Sequence, residues 1–189
     1  EAGRRRIADL FQRQAKRKQW SAEQVQAMIA KVPVRHEPDA LDAVDLVIEA
    51  AVEQEAVKHE IFRTLDQRTP ASTILASNTS SLSVAAMAAV TQRAAKVAGL
   101  HFFNPVHSME LVEVVAAPKT DQQTIAQLVG LVRALGKTPI VTQDSPGMIV
   151  NRVLFPYLGE AVRMVSEGFD VAAVDRELRA LQLGLRRLQ

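Results

Sequence analysis

The chain has 189 residues, 48% of them hydrophobic and 23% charged, with a formal net charge of +2. These values sit near the globular average and exclude a disordered or fibrous protein, while the interspersed signs of charge argue against nucleic acid as the partner. The absence of cysteine rules out disulfides, thiolate nucleophiles and zinc-thiolate centres, and it is compatible with a reducing, cytoplasmic setting. No run of about 18 apolar residues occurs, so no membrane span is expected, and the first segment lacks the apolar core of a signal peptide. No metal site is expected.

Residues 4–18 place Ile7, Leu10, Phe11, Gln14 and Ala15 at helical spacing against a basic polar face, which predicts an amphipathic helix. Ser21, followed by Glu23 and Gln24, starts a second short helix that carries Val25, Met28 and Ile29. A strand-like stretch begins at Val32 and ends before Pro38; an acidic, helix-like turn follows. Residues 45–49 then form a short apolar run of the kind buried in parallel sheets.

From there helix and strand alternate: helix 53–67, strand 73–77, a short helix from Ser83, strands 97–102 and 109–115, helix 120–135 and strand 138–142. Repeated strands with crossover helices predict a mostly parallel α/β sheet. After Asp144-Ser145-Pro146-Gly147 the strands stop, and helices are expected over 148–167, bent at Pro156, and over 170–183. The expected domains are therefore 1–143, α/β, and 144–189, helical.

A doubly wound sheet invites a dinucleotide, whose pyrophosphate rests on a Gly-rich turn at a helix N-terminus. The stretch offers no Gly-x-Gly-x-x-Gly; Gly130 and Gly136 fall inside and just after a helix. Taken alone, this favours a generic α/β domain.

Other residues carry more chemistry. His101 ends an apolar strand, and Glu113 lies in the next one, Leu111-Val112-Glu113-Val114-Val115, after a Pro-containing turn that could return it to His101. A carboxylate in hydrogen-bond reach would fix the imidazole tautomer, as a general base requires, and a Glu in a β-branched run is otherwise expensive to bury. The plainer alternative is a structural His near a turn and a surface Glu on an edge strand. Ser77-Asn78-Thr79-Ser80-Ser81 follows another strand at the same sheet end, where short polar groups cap helices or face a ligand. Asn151 interrupts an apolar helix face and needs a polar partner, in a domain interface or a site. His59 and His107 read as surface residues.

Four segments in series, Ala76-Ser77-Asn78-Thr79-Ser80-Ser81-Leu82, Gly99-Leu100-His101-Phe102-Phe103-Asn104-Pro105-Val106, Leu111-Val112-Glu113 and Pro146-Gly147-Met148-Ile149-Val150-Asn151-Arg152, resemble the motifs of the L-3-hydroxyacyl-CoA dehydrogenases of fatty-acid β-oxidation. The resemblance runs from about Gly3 to Leu178. Gly136-Lys137-Thr138-Pro139-Ile140-Val141 and Asn151-Arg152-Val153-Leu154-Phe155-Pro156-Tyr157-Leu158 look more like the dehydrogenase part of multifunctional hydratase/dehydrogenase subunits than like the free-standing enzyme.

The resemblance implies a Rossmann-type sheet lacking its first strand-turn-helix-strand, followed by the first helices of an all-α domain. The implied reaction is oxidation of a (3S)-hydroxyacyl-CoA to the 3-oxoacyl-CoA with NAD as hydride acceptor. His101 would be the general base, and Glu113 would orient it and stabilise the imidazolium. Ser80 and Asn151 would hydrogen-bond the substrate oxygen or align His101; Ala50, Glu53, Lys58, Asn78 and Ser80 would line the cofactor. Lys16, Arg17 and Lys18 would meet the CoA phosphates, although a solvated helix face explains them equally. A homo-oligomer or a hydratase or thiolase partner is implied for the family. The family's N-terminal Gly-rich unit and later Pro-Met-Gly-Pro segment have no match here, and the tail 181–189 departs from the pattern, so a piece truncated at both ends is expected. A fragment of this kind would be inactive alone, bind NAD poorly and expose sticky strand edges. The rival readings are a non-catalytic remnant serving as a structural or interaction module, and a related NAD enzyme acting on a smaller hydroxy acid.

Overall fold

The computed structural model describes residues 2–34 and 41–180. Its contacts divide the chain into two compact units, 1–41 and 42–189.

The first unit is a helical pair, α1 (Ala2–Lys18) and α2 (Ala22–Ala30). Ser21 closes a reciprocal cap on α2: its hydroxyl accepts from the Gln24 amide while the Gln24 side chain accepts from the Ser21 amide. Two of the amides that a helix start leaves without intrahelical partners are thereby satisfied. The expected strand after Val32 does not form over residues 32–34, and residues 35–40 lie outside the described ones.

The second unit runs β1 (Leu46–Glu49), α3 (Glu55–Arg68), β2 (Ile74–Ser77), α4 (Val84–Ala89), a 3-10 turn (Ala94–Lys96), β3 (Val97–Phe102), β4 (Leu111–Ala116), α5 (Gln122–Ala134), β5 (Thr138–Gln143), α6 (Val150–Ser166) and α7 (Val171–Ala180). The strands lie in sequence order in one five-stranded sheet. Every pairing is parallel except β3 with β4, whose short connection allows only an antiparallel return. This is the mostly parallel α/β sheet expected from the alternation of strands and helices. Helix α6 contains Pro156, as expected, whereas the part of the last helix expected beyond residue 180 lies outside the described residues.

Alternation along the strands builds the core. Ile74, Ala76, Ala98, Leu100, Val112 and Val114 share one face with Leu128 and Val132 of α5, and all are buried. On the opposite face the backbone of β3 comes close to its neighbours: a Cβ on Gly99 would stand 2.7 Å from the Val115 Cβ and 3.1 Å from Val84. Only hydrogen fits there, so the glycine sets how closely α4 and β4 approach β3.

Candidate active site

Strands β1 and β2 run parallel to β3, so their carboxyl ends, Glu49 and Ser77, emerge on the same side as Phe102. That edge is where open α/β sheets bind ligands. The antiparallel β4 enters from the same edge, and its register pairs His101 with Glu113 directly. Residues opposite one another in a ladder project to the same face, and His101 Nδ1 lies 2.8 Å from Glu113 Oε2. Both are buried, the Glu113 side chain completely.

The other oxygen of Glu113 has a separate task. Oε1 accepts from the amides of Ile149 (2.9 Å) and Val150 (3.0 Å) at the start of α6, a helix whose N-cap residue makes no side-chain cap bond of its own. A carboxylate is a favourable cap for such free amides, at the positive end of the helix dipole. Because an ionised carboxylate only accepts, the His101 Nδ1 proton points at Glu113, and the Nε2 lone pair is left for another proton. The ring also lies against Phe103, centroid to centroid 4.5 Å.

In the first turn of α6, Asn151 Nδ2 donates to the backbone oxygen of Ser80 at 3.2 Å. Among the described residues neither Asn151 nor Ser80 hydrogen-bonds His101, so any alignment of the imidazole by them would require a ligand between. Ser80 belongs to a turn held by Glu53, whose Oε1 accepts from the Thr79 hydroxyl (2.5 Å) and from the amides of Ser80 (2.9 Å) and Ser81 (3.2 Å). Burial pushes the Glu53 carboxyl up, but the Thr79 hydroxyl, the Ser80 amide and the Lys58 charge outweigh it and hold the pKa at about 2.

The remaining expected cofactor residues are distributed around this edge. Ala50 is exposed just beyond β1. Asn78 Oδ1 accepts from the Phe102 amide at 2.9 Å and ties the end of β2 to that of β3. Lys58 is 1% exposed, and its ammonium is committed to Glu49 and Glu53. Of the basic residues on α1, Lys18 is exposed with its ammonium 5.4 Å above the Trp20 ring; the side chains of Lys16 and Arg17 lie outside the described ones. His107 is exposed, as expected. His59 is not a surface residue: it is half-buried on α3, and among the described residues its buried Nε2 makes no hydrogen bond, lying 3.7 Å from the Glu55 carboxylate.

Sequence reasoning missed two groups. Glu49 is buried under the site and accepts from Ser77, and Asp144 grips the start of α4 through Ser83 Oγ (2.9 Å) and the amides of Val84 (3.1 Å) and Ala85 (2.7 Å). For Glu49 the signal was available: it closes an apolar strand, as Glu113 sits in one, and a lone carboxylate there demands a partner. Among the described residues no group of three or more His, Asp or Glu side chains could hold a metal, and no helix is long and apolar enough to cross a membrane.

An open α/β sheet with a buried His–Glu pair at its ligand edge and a helical segment capped by that same Glu defines a class of two-part, ligand-binding α/β proteins. Within that class, residues 1–145 match the family described as 3-hydroxyacyl-CoA dehydrogenase, NAD binding domain, and residues 147–187 match the corresponding C-terminal domain. The chain is 50% identical over 140 residues to the mitochondrial hydroxyacyl-coenzyme A dehydrogenase of Homo sapiens, covering 74% of this chain and 44% of that protein. It is 39% identical over 173 residues to the fatty acid oxidation complex subunit alpha of Acinetobacter baumannii, covering 92% of this chain and 24% of that one. The crystal structure of FadB2 from M. tuberculosis superposes with a TM-score of 0.85 at 38% identity, over 89% of this chain and 60% of that one. The chain belongs to the 3-hydroxyacyl-CoA dehydrogenase family. It spans less than half the length of the human and Acinetobacter relatives.

The donor set suits one half of NAD. At the carboxyl edge, Glu53, Asn78, Ser80 and the exposed backbone around Ala50 offer the hydroxyl, amide and carboxylate groups that a ribose and a carboxamide require. The Gly-rich turn that cradles a pyrophosphate has no counterpart in this stretch.

Proposed function

We propose that the whole protein oxidises a (3S)-hydroxyacyl-CoA to the 3-oxoacyl-CoA, with His101 as general base. The observation that carries this reading is the geometry of His101: Nδ1 is committed to Glu113 at 2.8 Å, which leaves Nε2 to take the proton of a substrate 3-hydroxyl. NAD, when bound, supplies the hydride acceptor. Glu113 holds the imidazole and compensates the charge it gains. Asn151, on the helix that Glu113 caps, and Ser80, whose carbonyl accepts from Asn151, are close enough to each other to grip one substrate oxygen between them. Glu53 and Asn78 brace the loops against which the nicotinamide ribose would lie.

The substrate class follows from the family, whose members are named for hydroxyacyl-CoA; Lys16, Arg17 and Lys18 would meet the CoA phosphates. A homo-oligomer or a hydratase or thiolase partner belongs to the same proposal, and the relative named as a fatty acid oxidation complex subunit alpha supports membership of a complex. We further propose a cytoplasmic location, since a cysteine-free chain needs no oxidising compartment. The dehydrogenase reading is tested by following NADH formation from (3S)-hydroxyacyl-CoA in the whole protein and in its His101→Ala variant. Turnover that the variant loses supports it. A wild-type protein without turnover would leave the structural-module reading standing.

A further inference from the structure

Beneath the site lies a buried carboxylate that the reaction above does not use. Glu49 ends β1 with its side chain 2% exposed. Oε1 accepts from the Ala51 amide at 2.6 Å and from Lys58 Nζ at 2.8 Å; Oε2 accepts from Lys58 Nζ at 2.9 Å and from Ser77 Oγ at 2.6 Å. Lys58 is equally buried, and its ammonium reaches on to Glu53 Oε2 at 3.3 Å and to the Ala51 carbonyl at 3.5 Å. Glu53 in turn holds the amides of Ser80 and Ser81, and Ser80 accepts from Asn151. A continuous polar chain therefore runs from the floor of the sheet through two loops to the first turn of α6.

As a stabiliser this buried pair is a poor choice, because removing two charges from water costs about as much as their attraction returns, and apolar replacements are often as stable. What a fully satisfied pair does supply is direction: with three acceptors around it, the Lys58 ammonium has one resting place. We propose that Glu49 is a positioning residue, which orients Lys58 and through it sets Glu53 and the Ser80–Ser81 turn that faces Asn151. Its consequence for hydride transfer rests on the dehydrogenase reading; the positioning itself does not.

The test compares Glu49→Gln, Lys58→Met and the double variant of this chain by thermal unfolding, by amide hydrogen exchange at Ser80 and Ser81, and by carbon NMR titration of the Glu53 carboxyl. Each single variant strands one buried charge and should melt lower. The double variant removes both charges and should regain most of the melting temperature. Positioning requires that the double variant nevertheless exchange the Ser80 and Ser81 amides about tenfold faster than wild type, a change of the size one charged hydrogen bond supplies, and that Glu53 titrate above its wild-type value of about 2 in Glu49→Gln, where the Lys58 charge is kept. Wild-type protection in the double variant together with wild-type titration of Glu53 in Glu49→Gln would overturn the proposal and reduce the pair to a structural plug. If the double variant does not fold, Glu49→Gln alone decides, because it removes the carboxylate that orients Lys58 and leaves Lys58 its contact with Glu53. Absence of hydride transfer in the wild-type whole protein would sink the dehydrogenase reading and leave the exchange result untouched.

Discussion

Glu113 shares its carboxylate between His101 and the first turn of α6: one oxygen lies 2.8 Å from the imidazole Nδ1, the other accepts from the amides of Ile149 and Val150. The same side chain thus orients the proposed base and seats the helix that carries Asn151. His101 and Asn151 are linked through one fully buried carboxylate, so a disturbance of either end reaches the other.

If His101 and Glu113 act as one unit, His101→Ala in the whole protein should lower kcat by roughly 10²–10⁴-fold, and Glu113→Gln should lower it less. The double variant should be little worse than His101→Ala alone, since nothing remains to orient. Steady-state kinetics on the four proteins check this, and losses that simply add would separate the two residues.

Gly99→Ala should destabilise the fold by about 1–3 kcal/mol, the usual cost of overpacking a core. The added methyl would sit 2.7 Å from Val115 Cβ and 2.8 Å from its Cγ2, on rigid strands that cannot retreat independently. Urea unfolding measures the loss. A variant as stable as wild type would mean that β3 and β4 separate easily, which their central place in the sheet contradicts.

Asp144 accepts three hydrogen bonds at the start of α4, where Ser83 and the first two helical amides converge. Asp144→Ala should cost about 1–2 kcal/mol, the range for a lost helix cap. Faster amide exchange at Val84 and Ala85, with β2 and β3 unaffected, would localise the effect to the cap; uniform acceleration through the sheet would refute the local account.

Glu53 should make stability depend on acidity. Its pKa is about 2 against an ordinary value of 4.5, so the folded state favours the ionised form. That contribution is fully present above about pH 4.5 and disappears as pH falls through about 2. Glu53→Gln should therefore lie below wild type in stability at neutral pH, and the two acid-unfolding curves should converge toward pH 2. A gap that stays constant down the titration would assign the difference to shape rather than charge.

Much of this protein is legible in one dimension. The apolar runs read as strands over 73–77 and 97–102 fall on the observed strands, 74–77 and 97–102, because a strand buried on both faces needs no alternation, and Ser21 with Gln24 announces the start of α2 because the capping geometry is local. The choice of His101, Glu113, Ser80 and Asn151 as candidates also needed only residue type, strand position and motif. The stretch after Val32 reads as strand and is not one over residues 32–34. Apolar character alone does not distinguish a strand from a connection, because a strand exists only through a partner.

The tertiary structure decided what the candidates do to one another. Whether Glu113 meets His101 depends on β4 returning antiparallel in one register, and a slip of one residue would turn the carboxylate to the opposite face. No local pattern contains that choice; it follows from packing Val112 and Val114 against α5. The resemblance places Lys58 against the cofactor, but only the fold shows its ammonium buried between two carboxylates, and Glu49 reads as the last residue of a strand until Ser77 and Lys58 arrive from other elements. Sequence sets which charges must find partners, since burial of an unpaired charge is prohibitive. Which partners they find is a property of distance in three dimensions, and only the assembled sheet defines it.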